Sequence, residues 1–346
     1  MHEALAGLLA REAPIGRETW RSWWDELGAG GLDRAQAVGL LASLTSRLPD
    51  HDTLRHLLDS LAERRPPATV GGGPWQDTVN VVGTGGGPRT FNVSTASAFV
   101  AAAAGVKVVK TGSRAYTSAL GSIDLLERLG VRPTSSYAQT EDVLATYGIA
   151  FAGPFVYPTQ LTRLARTVAP LGMKPFGGFL NALGPFLADL PVTAQVTGVS
   201  AAAPLDTLRE LAATTTTRRI WLTANDTGAD ELLPFAVNTV HGDQGATRVI
   251  RPGELTPGDG TFEDLRPATD PAGAVPHFLS VLDGGAGPVA RRTVALGAAA
   301  LLVAAGPGRD WRSAVALADE AIGSGAAADL ARRLAAARHR PAVARA

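Results

Sequence analysis

The sequence predicts an α/β protein with a small N-terminal helical domain and a larger α/β domain, whose central, mostly parallel sheet is flanked by helices. Two observations support this prediction. Between residues 17 and 64, apolar residues recur at three- and four-residue steps, which is typical of amphipathic helices. From residue 77 onward, short β-branched runs alternate with glycine-rich turns and helical segments, which is typical of βαβ units.

The composition is that of a globular protein and excludes several functions. The chain has 346 residues, of which 45% are hydrophobic and 18% charged, so it is long enough for two structural units. Basic and acidic residues balance at 32 each, without a basic stripe carrying aromatics, which argues against nucleic acid as a partner. Because the chain has no cysteine, disulfides, thiolate catalysis and cysteine zinc sites are excluded, and its six histidines show no metal-ligand spacing.

Membrane and export signals are weak in the sequence. The start, MHEALAGLLAREAP, lacks the basic beginning and long apolar region of a signal peptide. The longest apolar stretch, residues 294–305, is too short to span a membrane and is interrupted by glycine. We therefore expect a cytoplasmic protein without a membrane partner.

The N-terminal helical region is followed by a linker. Trp20, Trp23 and Trp24 have helical spacing, which predicts a role in helix packing or in a dimer interface, where aromatic residues are enriched. Residues 64–74, RRPPATVGGGP, contain prolines and glycines that interrupt both helical and strand periodicity. The linker therefore separates the helical region from the α/β region.

A glycine-rich loop lies inside the first βαβ unit. Residues 77–82 predict a strand, residues 83–95 (GTGGGPRTFNVST) a loop, residues 96–104 the body of a helix, and residues 105–110 a second strand. Glycines expose backbone N–H groups and allow positive φ, so the loop is either a flexible turn or an anion site. Its place after a parallel strand favours phosphate, because open α/β sheets bind ligands at that edge.

The rest of the chain predicts further elements with less precise ends. Strands are expected near residues 150–151, 220–223 and 249–250. Helices are expected near residues 123–129 and 206–213, with two more at the C-terminus.

Several motifs in sequence order resemble those of the anthranilate phosphoribosyltransferases. The family pattern runs approximately as GTGGD, TFNIST, KHGNR and SS-x-x-GSAD, and residues 81–131 follow it. FLNALGP at residues 179–185 resembles the family's FNLLGP, and GADE at residues 228–231 resembles GLDE. Each motif is modest alone, but their order from residue 75 onward is a strong family signal.

The resemblance implies a fold and a reaction. It implies a helical domain of residues 1–68, which is joined by a later helical segment near 156–190. Residues 75–155 and 191–346 would form the α/β domain. The ligand is expected between the two domains, and the protein is expected to be a homodimer. It also implies that phosphoribosyl pyrophosphate loses pyrophosphate as a small aromatic acceptor attacks the anomeric carbon. The leaving group is highly anionic, so Mg²⁺ and aimed donors must neutralise it.

The resemblance assigns the phosphoribosyl-donor site residue by residue. Ser94 is the hydroxyl expected to contact magnesium, and Lys110 aligns with a phosphate-binding lysine. Asp230 and Glu231 align with the acidic pair that holds the metal directly or through water. Without the resemblance, a solvated helix start is the preferred interpretation of this pair. The other donor-site residues are Gly83, Gly85, Gly86, Thr90, Asn92, Thr95, Ser118 and Ser122.

The donor side departs from the family pattern at two positions. Gly87 stands where the family has the aspartate of GTGGD, and the loop from there to Thr90 is one residue shorter. Ala119 replaces a common lysine. One polar contact to the phosphoribosyl donor or its metal is therefore missing.

The acceptor side departs more strongly. Family members have approximately VAPVRRELGIRTIFN, with an arginine that holds the anthranilate carboxylate, where residues 168–181 read VAPLGMKPFGGFLN. Lys174 is the only cation in this segment, and an ammonium group cannot pair bidentately with a carboxylate. The residues assigned to acceptor binding are Thr111, Ser113, Arg114, Tyr157 and Lys174. Of these, Arg114 is retained, Thr111 and Ser113 replace the His and Asn of KHGNR, and Tyr157 replaces the histidine of an HP motif.

The donor-side residues are mostly kept, whereas the acceptor-side residues are changed. This contrast favours an enzyme of specialised metabolism that uses Mg²⁺ and phosphoribosyl pyrophosphate. Its acceptor would be an aromatic or heteroaromatic molecule other than anthranilate. A genuine anthranilate enzyme of tryptophan biosynthesis is the second hypothesis. A noncatalytic paralogue that binds a phosphorylated ligand is the third, and a nucleoside phosphorylase the fourth. No general base is evident. Tyr157 could accept or relay a proton, but a tyrosine with an unperturbed pKa near ~10 is a poor base at neutral pH.

Overall fold

The computed structural model describes residues 1–65, 75–112, 121–306 and 309–337. The chain forms two compact units. The first comprises Met1–Val70, Phe155–Leu190 and Ala203–Thr214, and the second comprises Gly71–Pro154, Pro191–Ala202 and Thr215–Ala346. Ser113, Arg114, Ser118 and Ala119 lie outside the described residues.

Helices and strands alternate through most of the described chain. The first part contains α1 (Glu3–Ala10), α2 (Arg17–Ala29), α3 (Arg34–Ser46), α4 (His51–Ala62), β1 (Thr78–Gly83), α5 (Val93–Ala103), β2 (Lys107–Thr111), α6 (Ser122–Leu129), α7 (Tyr137–Tyr147) and β3 (Ile149–Ala152). The second part contains α8 (Thr159–Thr167), α9 (Gly177–Leu187), β4 (Ala194–Gly198), α10 (Leu205–Thr214), β5 (Arg219–Asn225), β6 (Asn238–His241), β7 (Thr247–Ile250), α11 (Ala274–Leu282), α12 (Pro288–Ala305), α13 (Trp311–Gly323) and α14 (Ala326–Ala336).

The second unit is built on a seven-stranded sheet in the order β3-β2-β1-β4-β5-β6-β7. The strands from β3 to β5 are parallel, and β6 and β7 add an antiparallel edge. The predicted α/β fold class is thereby confirmed. The chain leaves β1 for β2 on one side and later returns to place β4 on the other, so β1 is the topological switch point, next to which open α/β sheets bind ligands.

The first unit is helical, and its tryptophans are packing residues. Trp20, Trp23 and Trp24 of α2 are all buried, as the helix-packing alternative predicts. Trp20 Nε1 donates to Thr53 O at 3.2 Å and Trp24 Nε1 donates to Ser60 Oγ at 2.9 Å, which ties α2 to α4. Helix α10 clusters with this unit, although in the chain it lies between two sheet strands.

The N-terminus of α4 provides a test of stability. Asp50 is its N-cap and accepts bonds from Thr53 N at 2.9 Å and Thr53 Oγ1 at 2.7 Å. Burial raises the pKa of Asp50, but these bonds outweigh it and lower the pKa below its usual value. We expect Asp50→Ala to lower the free energy of unfolding by about 1 kcal/mol at pH 7. Because the folded-state pKa is depressed, this contribution is present above the unfolded pKa near ~3.9 and is lost as pH falls through the folded pKa.

Urea denaturation at pH 7 and below pH 4 measures this effect. Asp52→Ala, an exposed aspartate on the same first turn, is the control and should change stability by less than about 0.5 kcal/mol. Equal losses in the two variants at pH 7 would argue against the capping role of Asp50.

The longest helix of the second unit, α12, lies in its core. It is the one helix among the described residues that is long and apolar enough to cross a membrane, but 72% of its residues are buried inside the protein. It packs on α5 and α13, and a Cβ at Gly297 would lie 3.1 Å from Ser97 Cβ. The apolar composition of α12 is therefore explained by burial against other helices.

The structure corrects two details of the sequence-based prediction. Strands β4 and β6 were not predicted, because their sequences, AQVTG and NTVH, mix polar residues into positions that are largely buried. Gln195 of β4 accepts a bond from Asn80 Nδ2 at 2.9 Å and donates to Thr197 Oγ1 at 3.0 Å, so its polar groups are satisfied within the sheet. Three helices, α12 to α14, rather than two, occupy the C-terminal region.

Candidate functional site

The glycine-rich loop follows the carboxyl end of β1 and is hydrogen-bonded to the end of β4. Gly85 and Gly86 have φ values of 64° and 83°, a region that glycine enters without steric cost. Thr84 N donates to Gly198 O at 2.8 Å, and Thr84 Oγ1 accepts from Ser200 N at 3.0 Å. Ser200 Oγ in turn donates to Gly85 O at 2.6 Å. These bonds connect the first residues of the loop, Thr84 and Gly85, to the end of β4.

The N-terminus of α5 follows this loop and carries polar side chains. Asn92 is the N-cap residue and makes no side-chain cap bond, while Ser94 and Thr95 lie in the first turn. Thr95 Oγ1 is buried and has no hydrogen-bond partner among the described residues. Helix N-termini favour anions because their first N–H groups are free and the helix dipole is positive there.

Lys110 brings a buried positive charge to the same place. Its side chain is 3% exposed, and Nζ donates to Ser94 Oγ at 3.2 Å and to Val81 O at 3.3 Å. Burial lowers the pKa of Lys110 to about 8, although the carboxylate of Asp230 favours the charged form. The ammonium group is therefore mostly protonated at neutral pH and lies beside the N-terminus of α5.

Two paired glycines make room for Asp230. Gly83 of β1 pairs directly with Gly198 of β4 at the carboxyl end of the sheet. A Cβ at Gly198 would overlap the carbonyl oxygen of Asp230, and a Cβ at Gly83 would lie 3.2 Å from its Cγ. Asp230 thus lies directly over two strand ends, and its Oδ2 accepts a bond from Gly85 N at 2.8 Å.

Glu231 adds a second, poorly neutralised carboxylate. Its Oε1 accepts from Thr90 Oγ1 at 2.7 Å, whereas its Oε2 is buried and has no hydrogen-bond partner among the described residues. Burial, and then the neighbouring Asp230 charge, raise the pKa of Glu231 to about 8. Burial also raises the pKa of Asp230, against the Gly85 N–H and Lys110. Two buried carboxyl groups side by side are oxygen ligands of the kind that bind a hard cation.

The structure brings most of the predicted donor-site residues to one edge of the sheet in the second unit. Ser122 begins α6, and its side chain lies against Gly112 at the end of β2. Gly87, where the family has aspartate, packs closely, since a Cβ there would lie 3.1 Å from Gly228 O. The departure at Gly87 therefore has a steric reason in this chain.

The acceptor-side predictions fall in different places. Thr111 is fully buried in the second unit, and its N–H donates to Asn80 Oδ1 at 3.1 Å. Tyr157 and Lys174 belong to the first unit, where Tyr157 is half-buried and Lys174 is exposed at the start of a short 3₁₀ helix, Lys174–Phe176.

Three residues of the site were not found from the sequence. Gly198 and Ser200 were missed because β4 was not predicted. Asn225 ends β5 and holds the turn that carries the carboxylates, and its signal was the turn-forming run Asn-Asp-Thr-Gly.

The fold and this site define the class of the protein. A family model described as "Glycosyl transferase family, a/b domain" matches residues 75–328. The protein is therefore a glycosyl transferase, and the glycine-rich loop, Lys110, Asp230 and Glu231 lie at the carboxyl edge of its sheet.

Individual relatives narrow the class. The anthranilate phosphoribosyltransferase of one Methylorubrum extorquens strain is 34% identical over 94% of this chain and 96% of its own length. The enzyme of the same name from Rhodospirillum rubrum is 30% identical over 96% and 94%. The crystal structure of anthranilate phosphoribosyltransferase from Thermus thermophilus superposes with a TM-score of 0.78 at 28% identity, covering 97% of this chain and 99% of that one.

The chain belongs to the anthranilate phosphoribosyltransferase family and is a phosphoribosyltransferase. A more distant structure, the Saccharomyces cerevisiae enzyme in complex with PRPP and Mg, shares the fold with a TM-score of 0.73 at 19% identity, covering 92% of each chain. The family predicted from the motifs is confirmed.

Proposed function

We propose that this protein transfers the 5-phosphoribosyl group from phosphoribosyl pyrophosphate to an aromatic or heteroaromatic acceptor other than anthranilate, with release of pyrophosphate. The observation that carries this proposal is an asymmetry. Among the described residues, Gly85, Thr90, Ser94 and Lys110 of the proposed donor side lie with Asp230 and Glu231 at one sheet edge, whereas residues 168–181 contain Lys174 as their only cation. A guanidinium fork pairs bidentately with a carboxylate, and a lone, exposed ammonium is a poor substitute.

We propose Mg²⁺ as the cation of the donor site. Asp230 and Glu231 fit this ion, because both carboxyl groups are crowded and Glu231 Oε2 has no hydrogen-bond partner among the described residues. Ser94 would add a hydroxyl ligand. In the described parts of the chain no group of three or more His, Asp or Glu side chains is placed to hold a metal ion, and Mg²⁺ is an ion that one or two carboxylates can bind while it keeps several waters. When bound, Mg²⁺ would neutralise the diphosphate and polarise its oxygens.

The chain's own donors would complete the diphosphate site. The N–H groups of Gly85 and Gly86 and the start of α5 would bind phosphate oxygens. Lys110, already held against Ser94, would oppose the charge that develops on the leaving pyrophosphate. Gly83 would serve by leaving space for Asp230, and the polar groups of Thr90, Asn92, Thr95, Ser118 and Ser122 would line the same site. Because the ribosyl carbon becomes cationic as pyrophosphate departs, no protein nucleophile is required.

The acceptor side is proposed from sequence position. Lys174, Tyr157, Ser113 and Arg114 would contact the acceptor. The buried Thr111 would act by fixing the end of β2, since its N–H and hydroxyl both reach Asn80 Oδ1. The homodimer expected from the family stays a prediction.

A specific observation favours the second candidate, a genuine anthranilate phosphoribosyltransferase. Relatives that carry this name are 30–35% identical along nearly their whole length. In that case Lys174, together with Ser113 and Tyr157, would take over the work of the missing arginine.

The first experiment is the loss of anthranilate fluorescence when the purified protein is mixed with phosphoribosyl pyrophosphate and Mg²⁺. We expect no loss under conditions in which a known family enzyme consumes anthranilate. Pyrophosphate release, measured with a panel of other aromatic amines and heteroaromatic acids, should then identify the accepted class. Asp230→Asn is the inactive control.

Each outcome of this assay separates the hypotheses. Consumption of anthranilate by the wild type but not by Asp230→Asn would overturn the proposed acceptor and establish the second candidate. Failure with every acceptor would favour the noncatalytic alternative, and phosphate-dependent cleavage of nucleosides would favour the phosphorylase alternative.

A further inference from the structure

The two carboxylates proposed to bind Mg²⁺ lie on an irregular connection. Residues 226–237 join β5 to β6 without helix or strand. Asp230 and Glu231 place two carboxyl groups side by side on this connection, which has no helix or strand hydrogen bonds of its own to hold them. Their positions must therefore be fixed by bonds from elsewhere.

Asn225 supplies these bonds to the first half of the connection. Its Nδ2 donates to Ala229 O at 3.2 Å and to Glu231 O at 2.7 Å, the carbonyls on either side of Asp230. Its Oδ1 accepts from Ala229 N at 3.2 Å and from Thr227 N at 3.1 Å and Thr227 Oγ1 at 2.6 Å. One amide side chain thus makes five hydrogen bonds within residues 227–231.

A second asparagine holds the other half. Asn238 is the direct cross-strand partner of Asn225 in the β5–β6 ladder. Its Nδ2 donates to Leu233 O at 2.8 Å and Ala236 O at 3.0 Å, and its Oδ1 accepts from Leu233 N at 2.8 Å. The two asparagines therefore hold different halves of the connection: Asn225 bonds to residues 227–231, and Asn238 bonds to Leu233 and Ala236 but not to Asp230 or Glu231.

We propose that Asn225 is a positioning residue that holds Asp230 and Glu231 in the geometry required for metal binding. Fixing the carbonyls of Ala229 and Glu231 fixes the backbone on both sides of Asp230, so the two carboxylates are held in their observed positions. The inference rests on the proposed role of this pair as Mg²⁺ ligands. It assigns Asn225 a role that Asn238, which makes three bonds to the other half of the same connection, does not share.

Mn²⁺ titration followed by electron paramagnetic resonance, in the presence of phosphoribosyl pyrophosphate, tests the proposal on the full chain. We expect Asn225→Ala to raise the Kd for Mn²⁺ by about tenfold or more, the range for loss of an outer-sphere contact. Activity should recover towards the wild-type kcat when the metal concentration is raised. Asn225→Ser, whose single hydroxyl can meet at most one of the two carbonyls, should show a smaller increase and provides a milder variant for folding.

Asn238→Ala is the matched control, because it removes three bonds from the same connection. It should lower the melting temperature comparably while changing the Kd for Mn²⁺ by less than about threefold. Wild-type affinity in both Asn225 variants, or equal weakening in Asn238→Ala, would overturn the inference. Asp230→Asn distinguishes the proposed function: if it binds Mn²⁺ as the wild type does, the metal assignment fails and the role of Asn225 fails with it.

Discussion

Asp230→Asn is expected to lower kcat/KM for pyrophosphate release by about 10²- to 10³-fold, comparable to loss of one preorganised electrostatic contact in an active site. Asparagine keeps the shape of the side chain and an oxygen that can accept the Gly85 N–H bond, which is 2.8 Å long in the wild type. It removes the charge that we propose binds Mg²⁺. The loss would therefore report on charge and not on the position of the glycine-rich loop.

The same substitution should make the metal-free protein more stable. Burial raises the pKa values of both Asp230 and Glu231, and the Asp230 charge raises that of Glu231 further, so the ionised pair opposes folding. Removing one charge is expected to increase the free energy of unfolding by about 1 kcal/mol, or roughly 1–2 °C in Tm. Functional sites often lower the stability of the folded protein until their ligand binds.

Asp226→Asn is the control for both effects. Asp226 lies in the same connection but is exposed, and its Oδ1 accepts a bond from Val237 N that asparagine can also accept. Activity and Tm should stay near wild type. If Asp230→Asn keeps activity within about fivefold of wild type, a loss far below that of an active-site electrostatic contact, the metal role of Asp230 is wrong.

Gly198→Ala is expected to damage both stability and activity. The new methyl group would overlap the carbonyl oxygen of Asp230 and lie 2.8 Å from its carbonyl carbon. Because these are backbone atoms, the turn that carries Asp230 and Glu231 must move to accept it. We expect a loss of about 2–4 kcal/mol in the free energy of unfolding and a decrease of at least about tenfold in kcat/KM.

Gly306→Ala, also in the second unit, separates this steric effect from the general effect of glycine replacement. Gly306 has an extended backbone, and a Cβ there would meet no atom within 4 Å among the described residues beyond its chain neighbours. Chemical denaturation and pyrophosphate release should place Gly306→Ala near wild type. An unchanged unfolding midpoint and full activity in Gly198→Ala would contradict the close approach between β4 and the turn.

The βαβ unit around the glycine-rich loop was predictable from the sequence, because its signals are local. A β-branched run predicted β1, a cluster of glycines predicted the loop, and an alanine-rich segment predicted α5, each within a few residues of its observed ends. The family was predictable because its motifs follow one another in order. The resemblance to these motifs also identified Lys110, Asp230 and Glu231 as candidates for the donor site, whereas without it a solvated helix start was the preferred interpretation of the acidic pair.

Strand β4 and the geometry around Asp230 were decided by the tertiary structure. Gln195 and Thr197 interrupt the hydrophobic pattern by which β4 could have been predicted. These polar side chains can be buried in the strand because they hydrogen-bond to each other and to Asn80 on the neighbouring strand. Without β4, nothing in the sequence pairs Gly83 with Gly198 or brings Asp230 over them. Local sequence determined which side chains are available, but their proximity depends on strand pairing and close backbone packing between segments far apart in the chain.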